Sequence, residues 1–145
     1  MKQILFRGKR IDNNEWVHGF YFESVADGMK HCYIKYETWD EGFVTYEVIP
    51  ETVNQFTDLC DKNCNKIFEG DIIHIKCGHG FSAFVGKGIV FFDEKRLQFR
   101  VKSVKPSSFD SEKGNVYDEC DFTVIDSYEV IGNIHDNPEL LEDMK

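Results

Sequence analysis

Residues 49–75, IPETVNQFTDLCDKNCNKIFEGDIIHI, join two regions of strand-like sequence. Ile49-Pro50 closes an apolar run, because proline has no N–H to give a ladder and pushes its predecessor into extended geometry. A short capped turn of helix is expected after it. The segment at 60–65, CDKNCN, is a cluster of turn-forming residues. Ile67 and Phe68 then lead into Glu69-Gly70-Asp71, where glycine can take backbone geometry that other residues avoid. A new strand starts at Ile72. The stretch is a junction between two β regions, and it carries no catalytic motif.

Working outward, the chain has 145 residues, enough for one ordinary domain or two small β subdomains. A hydrophobic content of 41% with 14% aromatics allows a packed interior. The net charge of −9 disfavours a general binder of nucleic acid or anionic membrane, which needs clustered Lys and Arg. The apolar run near the N-terminus is too short for a signal peptide or a membrane span, so no membrane association is expected. Five cysteines, Cys32, Cys60, Cys64, Cys77 and Cys120, are an odd number at no secretory spacing. Reduced thiols in the cytoplasm are the simpler expectation.

Before the junction, Asp12-Asn13-Asn14 suits a hairpin bend. Trp16, His18, Phe20 and Phe22 alternate onto one face of a strand. After the Ala26-Asp27-Gly28 turn, Cys32, Ile34 and Tyr36 share a face of a second strand, and Phe43 to Ile49 supplies a third. Beyond the junction, Ile73, Ile75 and Cys77 point one way, and Ile72, His74 and Lys76 the other. A glycine-rich loop (Gly78, Gly80, Gly86, Gly88) precedes a hairpin turned at Asp93–Arg96. Leu97, Phe99 and Val101 are expected to face in, with Gln98, Arg100 and Lys102 out. Lys105 to Glu119 reads as a polar excursion. Asn137 as cap, Pro138 and Glu139 start a short helix running to 144. The expectation is a mainly β chain with minor α. Residues 1–50 form a small antiparallel sheet, 51–71 the junction, and 72–145 an SH3-like, barrel-like sheet with the C-terminal helix.

Three blocks carry a family resemblance: FRGKRIDNNEWVHGFY (6–21), QFTDL…DKN…KIFEGDII in the junction, and EVIGNIHDNPELL (129–141). Together the chain resembles the YopX family of phage and prophage proteins. The resemblance implies the fold and a phage or prophage origin, and it brings no established activity. The residues that carry the motif are Gln55, Phe56, Asp61, Asn63, Glu69, Gly70, Asp71, Gly132, Asn133 and Pro138. Asp58 and Cys64 stand where that family usually has glycine. With cysteine at 64, a left-handed residue in the turn is expected from Asn63 or Asn65 instead.

Candidate chemistry is sparse. Cys60, Cys64, His74, Cys77 and His79 are the right types for zinc, but the spacing is wrong and Cys77 alternates away from His74. No metal and no cofactor are expected. GHGFSAFVGKG (78–88) lacks the GK[ST] ending of a phosphate loop and runs into a strand. None of the five histidines sits in a nucleophile signature. Lys95, Arg96, Arg100, Lys102 and Lys105 form the strongest basic cluster, with Phe91, Phe92 and Phe99 between them. Single-stranded nucleic acid is stacked and tracked by aromatics and cations on one surface. Strand alternation separates Phe99 from Arg100 and Lys102. The expectation is therefore a non-catalytic accessory or binding module of the bacterial cytoplasm, acting through a protein partner or self-association. A nucleic-acid-associated protein using the 95–105 strand is the alternative.

Overall fold

The structure is a computed structural model that describes residues 4–77, 84–103 and 119–142. It is mainly β, with two antiparallel sheets and one short helix. The chain divides into two units, Met1–Asp58 and Leu59–Lys145. The boundary falls within the 51–71 stretch and inside a strand.

In the first unit β1 (Phe6–Lys9), β2 (Trp16–Ala26), β3 (Met29–Thr38) and β4 (Gly42–Val48) form an antiparallel meander. Asp27 and Gly28, both at positive φ, make the two-residue turn that matches the twist of a hairpin. The far end of β4 returns to β1: Arg10 bridges Val48, and the Ile49 N–H donates to the Lys9 carbonyl at 2.8 Å. This curl encloses Val17, Cys32, Ile34 and Val48, with Phe6, Tyr21, Tyr36, Tyr46 and Val53 packed on them.

The junction differs from the expectation. Only Pro50–Thr52 is helical, a single 3-10 turn, and β5 (Asn54–Cys60) follows as a strand beside β1. Its polar sequence hides it: Asn54 is buried because its Oδ1 accepts from the Arg7 Nε at 3.3 Å. Thr52 is also buried, accepting the Lys9 N–H at 2.9 Å and donating to the Ile49 carbonyl at 2.6 Å. Of the junction's apolar residues Phe56, Ile67 and Phe68 are buried, and Val53 and Leu59 half-buried.

In the second unit β6 (Lys66–Phe68) pairs with β5 across the turn at 61–65. Then β7 (Asp71–Cys77), β8 (Phe84–Asp93), β9 (Gln98–Ser103) and β10 (Glu119–Asp121) run as a meander. A 3-10 turn at Phe122–Val124 precedes β11 (Ser127–Asn133), which returns beside β7. The resulting order, β10-β9-β8-β7-β11, is that of an SH3-like sheet. Ile67, Ile73, Ile75, Val90, Val101 and Ile125 are its core.

Gly86 and Gly88 lie inside β8 rather than in a loop. A Cβ on Gly88 would stand 2.3 Å from the Val101 Cγ1, so close strand approach requires the glycine. Leu97, expected inward, is 77% exposed because it closes the β8–β9 turn at φ 54. The helix α1 spans Glu139–Glu142. Residues 105–118 of the expected excursion, Gly78, Gly80 and His79 lie outside the described residues. Among the described residues no helix is long and apolar enough to cross a membrane.

Candidate functional site

Several of the residues that carry the motif lie in or beside turns, while Gln55 and Phe56 are in β5 and Gly132 in β11. Asp61 begins the 61–65 turn and is buried, a setting that would ordinarily make a carboxylate costly. Its Oδ1 accepts the Asn63 and Asn65 N–H groups at 2.9 and 2.8 Å. Its Oδ2 accepts the Val130 N–H at 3.0 Å and the Asn65 Nδ2 at 3.2 Å. Burial pushes the carboxyl up, but these donors, the Val130 N–H foremost, outweigh it and hold Asp61 below the usual carboxylate range. Val130 sits at a register shift in β11, between the pairs Val130–Ile73 and Gly132–Ile72, so Asp61 satisfies an N–H at a bulge. Asn63 adds a 3.1 Å bond from its Nδ2 to Glu129. Since both carboxylate oxygens face N–H donors, the D-x-N-x-N spacing here caps a turn rather than ligating a cation.

Asp71 acts likewise at the next turn. It is buried and accepts the Phe68 N–H at 2.8 Å. Gly70, at φ 85, donates to the Val90 carbonyl at 2.8 Å and accepts from Ile134 at 2.9 Å. Asn133, opposite Asp71 in the ladder, accepts the His135 and Asp136 N–H groups. A Cβ on Gly132 would meet the Asn137 Oδ1 at 2.6 Å. That oxygen accepts the Asn133 N–H at 3.2 Å, so Asn137 reaches back to β11 instead of capping α1 as expected. Pro138 is exposed just before α1, Gln55 is half-buried opposite Phe6, and Glu69 is half-buried in the turn.

The left-handed position in the 61–65 turn is Cys64 itself, at φ 65, not Asn63 or Asn65; Asp58 is also left-handed, at φ 70. The local pull of Asp61 on the Asn63 and Asn65 amides fixes where the chain must reverse. Cys64→Gly is therefore expected to stabilise the chain by about 0.5–1 kcal/mol, since glycine bears no Cβ penalty in this region. Urea denaturation checks it, and a lower midpoint for the glycine variant would contradict it.

The basic strand is interleaved with acids. The Arg96 guanidinium bonds the Asp93 carboxylate at 2.9 Å and, with the Arg96 and Lys95 amides, holds it below the usual range. Arg100, expected outward, has a side chain only 13% exposed, its Nε 3.7 Å from the same carboxylate. Asp121 stands opposite Arg100, and Glu119 opposite Lys102. Alternation does place Phe99, against Phe92, on the face away from Arg100, although Phe91 pairs opposite Arg100. Lys95 and Lys102 are exposed, and Lys105 lies outside the described residues.

Among the described residues the candidate zinc ligands are not brought together, and His79 lies outside them. Cys60 and Cys64 are exposed beside the turn, His74 is exposed on β7, and Cys77 packs on the core from the opposite face. Burial raises Cys77 and pushes the Cys120 thiol up to about 11. Among the described residues no group of three or more His, Cys, Asp and Glu is placed to hold a metal ion.

The outer face of β2–β4, away from the first core, is where sequence reasoning stopped short. Register puts Phe20 beside Lys35, Phe22 beside Tyr33, and Phe43 beside Glu37. Phe20 is 59% exposed, Phe43 57%, and Trp39 in the adjoining turn 97%. The rings of Phe22 and Tyr33 stack at 5.1 Å. Lys35 lies 4.9 Å over the Phe43 ring. On the same face toward β1, Arg7 lies 4.7 Å and Lys9 5.4 Å over Trp16. The alternation of Trp16, His18, Phe20 and Phe22 was legible, but nothing in it said that the aromatic row faces solvent while Val17 and Gly19 face the core.

The fold and these turns define a mainly β protein in which Asp61, Gly70, Asp71 and Asn133 hydrogen-bond the backbone around them. The chain matches the family described as YopX protein over residues 5–142 and belongs to it. It is also similar to the crystal structure of protein EF1440 from Enterococcus faecalis, at 24% identity over 97% of this chain and 99% of that one, with a TM-score of 0.48. None of the curated proteins matches it.

Proposed function

We propose that this protein is a non-catalytic, phage- or prophage-encoded accessory module that works in the bacterial cytoplasm through contacts with another protein. The observation that carries this reading is the outer face of β2–β4, where Phe20, Phe22 and Tyr33 cluster by register and Phe43 lies beyond Lys35 on the same face, with three of the four rings well exposed. Contiguous exposed apolar surface of this kind favours association over solvation. The motif residues Asp61, Gly70, Asp71 and Asn133 hold turns together, which leaves recognition to the surfaces that the turns support.

Copurification of the tagged chain from bacterial extract, with and without nuclease, tests this. A protein partner should survive nuclease and be lost from the Phe20→Ser, Phe43→Ser double variant. A partner set that vanishes with nuclease, and that depends on Lys95, Arg96 and Lys102 instead, would replace the reading with nucleic-acid association.

A further inference from the structure

We propose that the outer face of β2–β4 takes a basic protein segment, an apolar centre flanked by arginine or lysine. This rests on the reading that the face docks a protein, and it specifies the partner's chemistry.

The face has an apolar middle and acidic ends. Phe20, Phe22 and Tyr33 occupy the middle by register. At one end Glu37 stands opposite Phe43 and is followed by the exposed turn residues Trp39, Asp40 and Glu41; at the other lies the β2–β3 turn with Asp27. None of these four carboxylates makes an ion pair among the described residues. The cations of the same face are already seated: Lys35 on Phe43, Arg7 and Lys9 on Trp16, and His31 against Glu47. Arg10 stacks on Tyr46 elsewhere in the unit, 3.7 Å from its centroid. An incoming guanidinium thus finds what its own residues already use, an aromatic face, together with a carboxylate that lacks a counter-ion.

The alternatives fit less well. A nucleic-acid backbone would meet the acidic ends with few cations to offset them, on a chain of net charge −9. A second copy offers the same acidic surface rather than its complement.

The test uses the full chain and three fluorescein-labelled probes, read by anisotropy. One is a peptide in which Leu-Phe-Leu-Phe is flanked by arginine pairs. The second replaces the arginines with glutamates, and the third is an oligothymidylate. The arginine peptide should bind about tenfold or more tighter than either of the others. Phe20→Ser with Phe43→Ser should weaken it about tenfold, and so should Glu37→Lys with Glu41→Lys. Glu94→Lys with Glu139→Lys, a matched charge change at exposed positions off this face, should leave it unaltered. In the unmodified chain, amide NMR shifts on binding should concentrate in residues 20–43, a readout independent of how the variants fold. Equal binding of the glutamate peptide, tighter binding of the oligonucleotide, or shifts centred outside 20–43 would overturn the inference. A nuclease-resistant partner found by copurification would still uphold the protein-contact reading in that event, so the two can fail separately.

Discussion

Phe56→Ala is expected to destabilise the chain by about 3–5 kcal/mol, the range for removing a large buried aromatic side chain. Phe56 is 3% exposed, and its N–H donates at 2.8 Å to the carbonyl of Leu5, the residue just before β1, so its strand is fixed there. Alanine keeps the backbone bond and leaves a cavity that strands already paired cannot collapse to fill. At about 2–4 °C per kcal/mol for a chain of this size, the melting temperature should fall by roughly 6–20 °C. Circular dichroism melts of the two proteins decide the matter. An unchanged melting temperature would mean that the Phe56 side chain is not packed in the interior as described above.

The importance of Phe56 was legible before its strand was. Sequence periodicity located β2, β3 and β4 because each alternates apolar residues against a single core. It located the β8–β9 hairpin because Asp93 begins a run of polar turn formers, and the structure shows its carboxylate accepting the Lys95 and Arg96 amides. It missed β5 because that strand buries Asn54 and Thr57 as well as Phe56, so its inward side does not read as apolar. A buried polar side chain is tolerable only with a partner, and the partner of Asn54 is Arg7, 47 positions away. Arg100 failed for a related reason: alternation gave its face correctly, but Asp93 on the neighbouring strand holds it close to the sheet.

The outer face of β2–β4 shows the other limit of periodicity. Alternation assigns residues to two faces but does not say which face the fold covers. For β2 the bulky row is outside because Gly19 must lie inside: a Cβ there would stand 2.3 Å from the Lys35 carbonyl oxygen. The close approach of β2 to β3 therefore takes Gly19 inward and leaves Phe20 and Phe22 to solvent. An exposed aromatic row is the outcome of that choice, and it is the feature on which the functional reading rests.

The turn at 61–65 gives the second large effect. Asp61→Ala removes a buried carboxylate that satisfies four N–H groups, and it leaves those of Asn63, Asn65 and Val130 without their acceptor. Hydrogen bonds to a charged group contribute about 1.5–3 kcal/mol each, but some of these donors regain water in the variant, so a loss of about 3 kcal/mol is expected. Asp61→Asn should fall between, because its Oδ1 can still serve Asn63 and Asn65 while its amide confronts the Val130 N–H donor to donor. The pH dependence separates the charge from the shape. Asp61 is held below its unfolded value, so its contribution is fully present above about pH 4 and fades as pH falls through the folded value. The stability gap between the wild-type chain and Asp61→Asn should therefore be widest near neutrality and should narrow in acid. Urea midpoints measured across that range test it, and a gap that stays constant down to pH values where carboxylates protonate would show that Asp61 holds the turn by shape alone.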